Sequence, residues 1–203
     1  MVLPLCTMVE PASDRDELYA KCVAVPEHQC AEIVNGTLYV TPHPTPSRSY
    51  TISTLCAEVG GPFQVGRDGP GGWWILRRIE LQLDPKQPLV PDVAGWTLAR
   101  MPELPETDWL TLVPDWVCEV LSRSTERLDR DEKLPFYAKH GVRHVWLVDP
   151  VGQHLEVYTL DPGTRRWSEV RIYPGHTTVR AAPFGAIELN LGLLWSLPRR
   201  IAP

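Results

Sequence analysis

Pro114–Thr125 reads PDWVCEVLSRST, an apolar run up to Leu121 that carries one carboxylate, Glu119, in its middle. In an extended strand Asp115, Val117, Glu119 and Leu121 share one face, and Trp116, Cys118 and Val120 share the other. Apart from the acids both faces are apolar, so the spacing predicts a strand covered on both sides. An ionised carboxylate in such a place is costly unless it is protonated, paired with Lys or Arg, or bound to a metal. Asp115 lies roughly 13 Å back along the strand at ~3.3 Å per residue, too far to share one ion with Glu119. It reads as a strand-start residue after Pro114.

A chain of 203 residues, 43% of them hydrophobic, can bury one sizeable core, and a single domain over residues 1–203 is expected. The 21 prolines and only 3 phenylalanines favour short elements and many turns, with 8 tryptophans carrying much of the aromatic content. Five cysteines without a CxxC pair or zinc-type histidine spacing argue against a disulfide framework and a structural zinc site. The opening MVLPLCTMVEP lacks a basic n-region, and no stretch approaches the ~18 apolar residues that span a bilayer, so a cytoplasmic location is expected. The net charge of −5 says little about any local basic face. From Ser122 to His144, however, six Arg and Lys stand against four acids.

Residues 13–21 read as a short helix with Ser13 or Asp14 as its cap, and AEIVNGTLYV as a hairpin turning at Asn35-Gly36. After the rigid TPHPTPS loop, Ile52, Leu55, Cys56 and Val59 recur at helical spacing until Gly60 and Gly61. Residues 60–72 read as a flexible loop. WWILRRIELQL, VPDVAGW, PDWVCEVL, HVWLVD, HLEVYTL, RWSEVRIY and AIELNLGLLW read as strands, and the segment around Lys133 as a helix ending at Gly141. With Asp131 as N-cap, Pro135 falls at the fourth helical position and Lys133 in the first turn. The pattern predicts an α/β (α+β) fold with a mixed central sheet flanked by helices and additional antiparallel strands.

Asp92, in PLVPDVAGW, heads another short apolar strand, where a turn carboxylate after proline is the plain alternative. If its strand neighbours that of Glu119, about 4.8 Å away, the two acids can converge on one divalent cation. Mg²⁺ or Mn²⁺ suits such an oxygen-only site.

The order Pro91-Asp92, Glu119, Lys133 resembles the PD-(D/E)-XK nucleases. The run Pro114–Pro150, with its EVLSRST…DRDEK…YAKHGV…WLVDP succession, is similar to the hallmark block of the Uma family of restriction-endonuclease-like proteins. AEIVNGTLYVTPHPTPS is similar to that family's upstream segment, with Glu32 and Gly36 in matching places. The resemblance runs from about Cys30 to about Leu160. It implies a restriction-endonuclease-like core, a metal held by Asp92 and Glu119, and a lysine role moved from position 121, here Leu121, to Lys133. The alternative for Lys133 is a solvated helix lysine pairing with Asp129 at i−4. Glu32 is a further candidate ligand. Where the family commonly shows a histidine, at the helix start after the proline-rich loop, this chain reads Pro46-Ser47-Arg48-Ser49-Tyr50.

Three functions follow. The first is a metal-dependent endonuclease hydrolysing DNA phosphodiester bonds, with Asp92, Glu119 and Lys133 catalytic and Arg123, Arg127, Arg130 and Lys139 contacting phosphates. The second is a catalytically inactive nuclease-fold module for nucleic-acid binding or oligomeric interaction. The third is a structural protein in which an arginine such as Arg78 neutralises Glu119. A homodimer through the leucine-rich segment 189–195 is the expected assembly.

Overall fold

The computed structural model describes residues 7–9 and 15–196. Its first part is a small antiparallel sheet of β1 (Thr7–Val9), β2 (Gln29–Val34) and β3 (Thr37–Pro42), with α1 (Arg15–Val23) before β2. The expected cap of α1 at Ser13 or Asp14 lies outside the described residues. The hairpin turns as expected at Asn35 and Gly36, whose φ values of 50° and 77° are those an Asn-Gly turn supplies cheaply. Next come α2 (Pro46–Gly60), β4 (Trp73–Arg77), β5 (Val93–Thr97), β6 (Trp116–Val120) and α3 (Leu134–His140). The chain closes with β7 (His144–Asp149), β8 (His154–Asp161), β9 (Arg166–Pro174), β10 (Thr178–Val179), β11 (Leu189–Asn190) and α4 (Gly192–Trp195).

A six-stranded mixed sheet in the order β4-β5-β6-β7-β8-β9 organises the α+β fold, with β6 and β7 parallel and the other neighbours antiparallel. All five residues of β6 are buried, because apolar layers cover both of its faces. On one side Trp116, Cys118 and Val120 join Ile52, Leu55 and Val59 of α2. Edge-to-face contacts of Phe184 with Trp116 and Trp146 tighten this layer. On the other side Val117 and Leu121 join Tyr39, Leu134 and Tyr137. No described helix is long and apolar enough to cross a membrane.

Several elements differ from their sequence expectation. α2 begins at Pro46, capped by the Thr45 hydroxyl accepting from Arg48 N at 3.3 Å. The glycine-rich segment after it opens with a π-turn, Gly61–Val65, anchored by buried Phe63. β4 stops at Arg77 because Arg78 turns left-handed (φ 49°), and Leu81 only bridges to Leu89 and Leu110. Asp131 is not an N-cap: helical structure starts at Glu126 and runs through a π-helical stretch, Leu128–Lys133, into α3. There Leu134 N donates to Asp129 O, and the widened turn accommodates Pro135, which has no N–H and would crowd a regular turn. Lys133 therefore sits mid-helix. Segment 189–195 is a two-residue strand and a short helix, with Leu189, Leu191 and Leu194 buried in the core, so most of the apolar surface expected to dimerise is already covered.

Candidate active site

In the antiparallel register of β5 and β6, Val93 lies opposite Cys118. One residue further, Asp92 falls opposite Glu119, and directly opposed residues project to the same side of a sheet. The contacts agree. Asp92 N donates to Glu119 Oε2 at 3.4 Å, and Asp92 Oδ2 accepts from Val120 N at 2.8 Å. Both acids are buried, Glu119 completely.

Lys133, 3% exposed, reaches this pair from the helix below. Its Nζ is 2.9 Å from Glu32 Oε2, 3.3 Å from Glu119 Oε1 and 3.5 Å from Asp129 Oδ1. A solvated surface lysine is thus excluded. Burial opposes its charge, but Glu119, Glu32 and Asp129 outweigh that and hold its pKa above the ordinary lysine value. Glu32 is fixed from β2 by a second bond, Val90 N to Oε1 at 2.7 Å. The four residues singled out from the sequence, Glu32, Asp92, Glu119 and Lys133, therefore converge.

Three further residues belong to the cluster. Arg48, from the first turn of α2, donates Nη2 to Asp92 Oδ2 and Nε to Val120 O, each at 2.7 Å. Tyr137 donates its hydroxyl to Glu119 Oε1 at 2.5 Å. Asp129 is fully buried, and its Oδ1 forms an ion pair with Lys133 Nζ at 3.5 Å. Arg78 does not neutralise Glu119; its Nη2 lies 3.0 Å from Cys30 Sγ at the edge of the same cleft.

Charge decides how the cluster is read. Four buried carboxylates, Glu32, Asp92, Glu119 and Asp129, face two buried cations, Arg48 and Lys133. Fully ionised, the group keeps two negative charges that nothing in it balances. Burial accordingly pushes Glu119 up to about 8, with Lys133 opposing and Asp129 and Asp92 adding to the rise. Burial likewise pushes Asp129 up to about 6 against the pull of Lys133 and Arg48. The vacant charge is filled by protons or by a cation.

No group of three or more His, Cys, Asp and Glu side chains poised to hold a metal ion occurs among the described residues. Two carboxylates with water completing the shell remain a hard, oxygen-only donor set of the kind Mg²⁺ or Mn²⁺ takes. The excess negative charge of the buried cluster fits a divalent cation. A narrow cleft of about 20 Å³, lined by Glu32, Arg48, Asp92 and Lys133, opens the cluster toward solvent. Arg48 also lines a larger groove of about 230 Å³ between residues 42–45 and 121–124.

The four expected phosphate contacts are placed unequally. Arg123 is exposed on the groove wall, and Arg127 is 97% exposed beside Asp131. Arg130 is committed to Glu156, with Nη1–Oε2 at 2.9 Å and Nη2–Oε1 at 2.6 Å. Lys139 stands 3.5 Å from Asp84 on the far end of α3. Asp115 is structural, as expected, pinning Thr97 N at 2.9 Å and Arg100 Nη1 at 2.8 Å.

Residues 15–192 match the Uma2 family, described as "Putative restriction endonuclease". The fold is similar to the crystal structure of a putative nuclease belonging to DUF820 from Anabaena variabilis ATCC 29413. The TM-score is 0.67 at 20% identity, covering 87% of this chain and 96% of that one. No curated protein matches.

Proposed function

The chain belongs to the Uma2 family of putative restriction endonucleases, and from that premise we propose that it is a metal-dependent endonuclease hydrolysing DNA phosphodiester bonds. The observation that carries this reading is the cross-strand pair Asp92 and Glu119, buried in a cluster with more carboxylates than cations. Mg²⁺ or Mn²⁺ bound there supplies an activated water and offsets the charge that develops on a phosphoryl oxygen. Asp92 and Glu119 would hold the ion, with Glu32 as a further acid at the edge of the cleft. Tyr137 and Lys133 orient the Glu119 carboxylate from its Oε1 side. Lys133, held against Glu119, would in addition stabilise negative charge in the transition state.

DNA would lie along the groove that Arg48 and Arg123 line, with Arg127 contacting phosphates further out. Arg130 and Lys139, expected phosphate contacts too, would have to leave Glu156 and Asp84 to take part. A single restriction-endonuclease-like domain over residues 1–203, acting in the cytoplasm, completes the proposal; a homodimer would have to use surface other than the buried Leu189, Leu191 and Leu194. One observation favours the second reading, a non-catalytic nucleic-acid-binding module: Arg48 already neutralises Asp92.

Supercoiled plasmid incubated with the protein separates the two. Nicked and linear forms should accumulate with Mg²⁺ or Mn²⁺ and be suppressed by a chelator. Plasmid that stays closed with either ion, yet is retarded on a gel by the protein, would instead establish the binding module.

A further inference from the structure

We propose that Arg48 is a built-in cation that competes with the divalent ion for Asp92, so that metal binds only as the Arg48 side chain leaves the acid pair. This deepens the reading above and rests on it.

Arg48 Nη2 and Nε grip Asp92 Oδ2 and the Val120 carbonyl, each at 2.7 Å, and Val120 N takes Asp92 Oδ2 from a second direction at 2.8 Å. That oxygen is saturated. A divalent ion bound to it at roughly 2.1 Å would sit against a guanidinium that cannot lose its charge. An ion that takes this oxygen would have to displace the guanidinium. The side chain is 10% exposed, and its placement in the first turn of α2 is one where the helix dipole disfavours a cation. Asp92 and the Val120 carbonyl are what hold it there.

The position also offers an exit. Arg48 lines both the acid cleft and the open groove. Rotation of its side chain into the groove removes the competing charge from Asp92 and moves it toward the place where a phosphate would lie. Charge, saturation of the acceptor and an adjacent open volume all point to displacement rather than co-occupancy.

Titration calorimetry with Mn²⁺ alone, on the full chain and on Arg48→Gln, tests this. The Gln variant keeps a donor for Asp92 and removes the charge. It should bind Mn²⁺ at least tenfold more tightly than the native protein, and its thermal midpoint should rise more on adding Mn²⁺. The double variant Arg48→Gln/Asp92→Ala should lose that gain. Arg48→Met carries the same expectation should the Gln variant fail to fold. Equal affinities of native and variant protein at a measurable site would overturn the competition and leave the metal reading standing. Absence of a site in both would overturn the two together.

Discussion

Lys133→Met is expected to lower stability by about 3–5 kcal/mol at pH 8.5, the cost typical of removing one partner from a buried charge network. Lys133 is the one cation within 3.5 Å of Glu32, Glu119 and Asp129 among the described residues, and methionine of similar length would leave those carboxylates without it. The penalty should shrink toward pH 5. Glu119 and Asp129 are raised to about 8 and about 6, above their ordinary values. A carboxyl with a raised folded-state pKa favours the folded protein below its ordinary pKa, relative to higher pH, and costs stability as pH rises toward the raised value. Without Lys133 both carboxyls rise further, so the variant loses more than the native chain between pH 6 and pH 8.5, while near pH 5 protons neutralise them. Denaturant unfolding of both proteins at the two pH values measures this. A penalty that does not change with pH would mean that lost packing, and not unpaired carboxylates, accounts for it.

Asp92→Asn is expected to reduce metal-dependent plasmid cleavage on the order of 10³-fold, corresponding to several kcal/mol of transition-state stabilisation. The carboxamide keeps an acceptor for Val120 N and nearly the same volume, though it leaves the buried Arg48 without its anionic partner and so lowers stability. What it removes is the negative charge that would hold the ion and that pairs with Arg48. Initial nicking rates at saturating Mg²⁺, with thermal midpoints measured beside them, separate lost chemistry from lost structure. Equal rates in the two proteins would trace the cleavage to a contaminating nuclease or to a different site.

The acid pair was legible because a carboxylate in the middle of PDWVCEVL contradicts the burial its neighbours demand, and the contradiction has few physical resolutions. Asp92 alone looked like an ordinary turn residue; only the β5–β6 register makes it the partner of Glu119. Lys133 and Glu32 came from the family resemblance rather than from any local rule. Arg48 was missed as a site residue because its partner is 44 positions away and nothing in the local pattern distinguishes it from a surface arginine. Asp129 was visible only as the i−4 neighbour of Lys133, where a solvated pair was the simplest expectation. Tyr137 sat on an apolar helical stripe, and a sequence pattern records the ring but not where the hydroxyl points.

The helix around Lys133 shows a different limit. Reading Pro135 as a helix-start residue placed the first turn at Asp131, whereas the chain keeps the helix and widens one turn. Asp129 and Lys133, four residues apart, share the buried face of that helix and pair at 3.5 Å, so the segment that carries the widened turn also carries part of the site. The C-terminal leucines show the reverse case. Their spacing suited a strand, but core contacts with α2 took them instead.

Crystals soaked in Mn²⁺ and measured at the manganese absorption edge provide the most direct test that residues 92 and 119 share one ion. An anomalous peak within about 2.3 Å of an oxygen from each carboxylate, with the Arg48 guanidinium swung away, is the predicted result. A map with no peak between those two side chains, at a Mn²⁺ concentration that supports cleavage, would contradict the account.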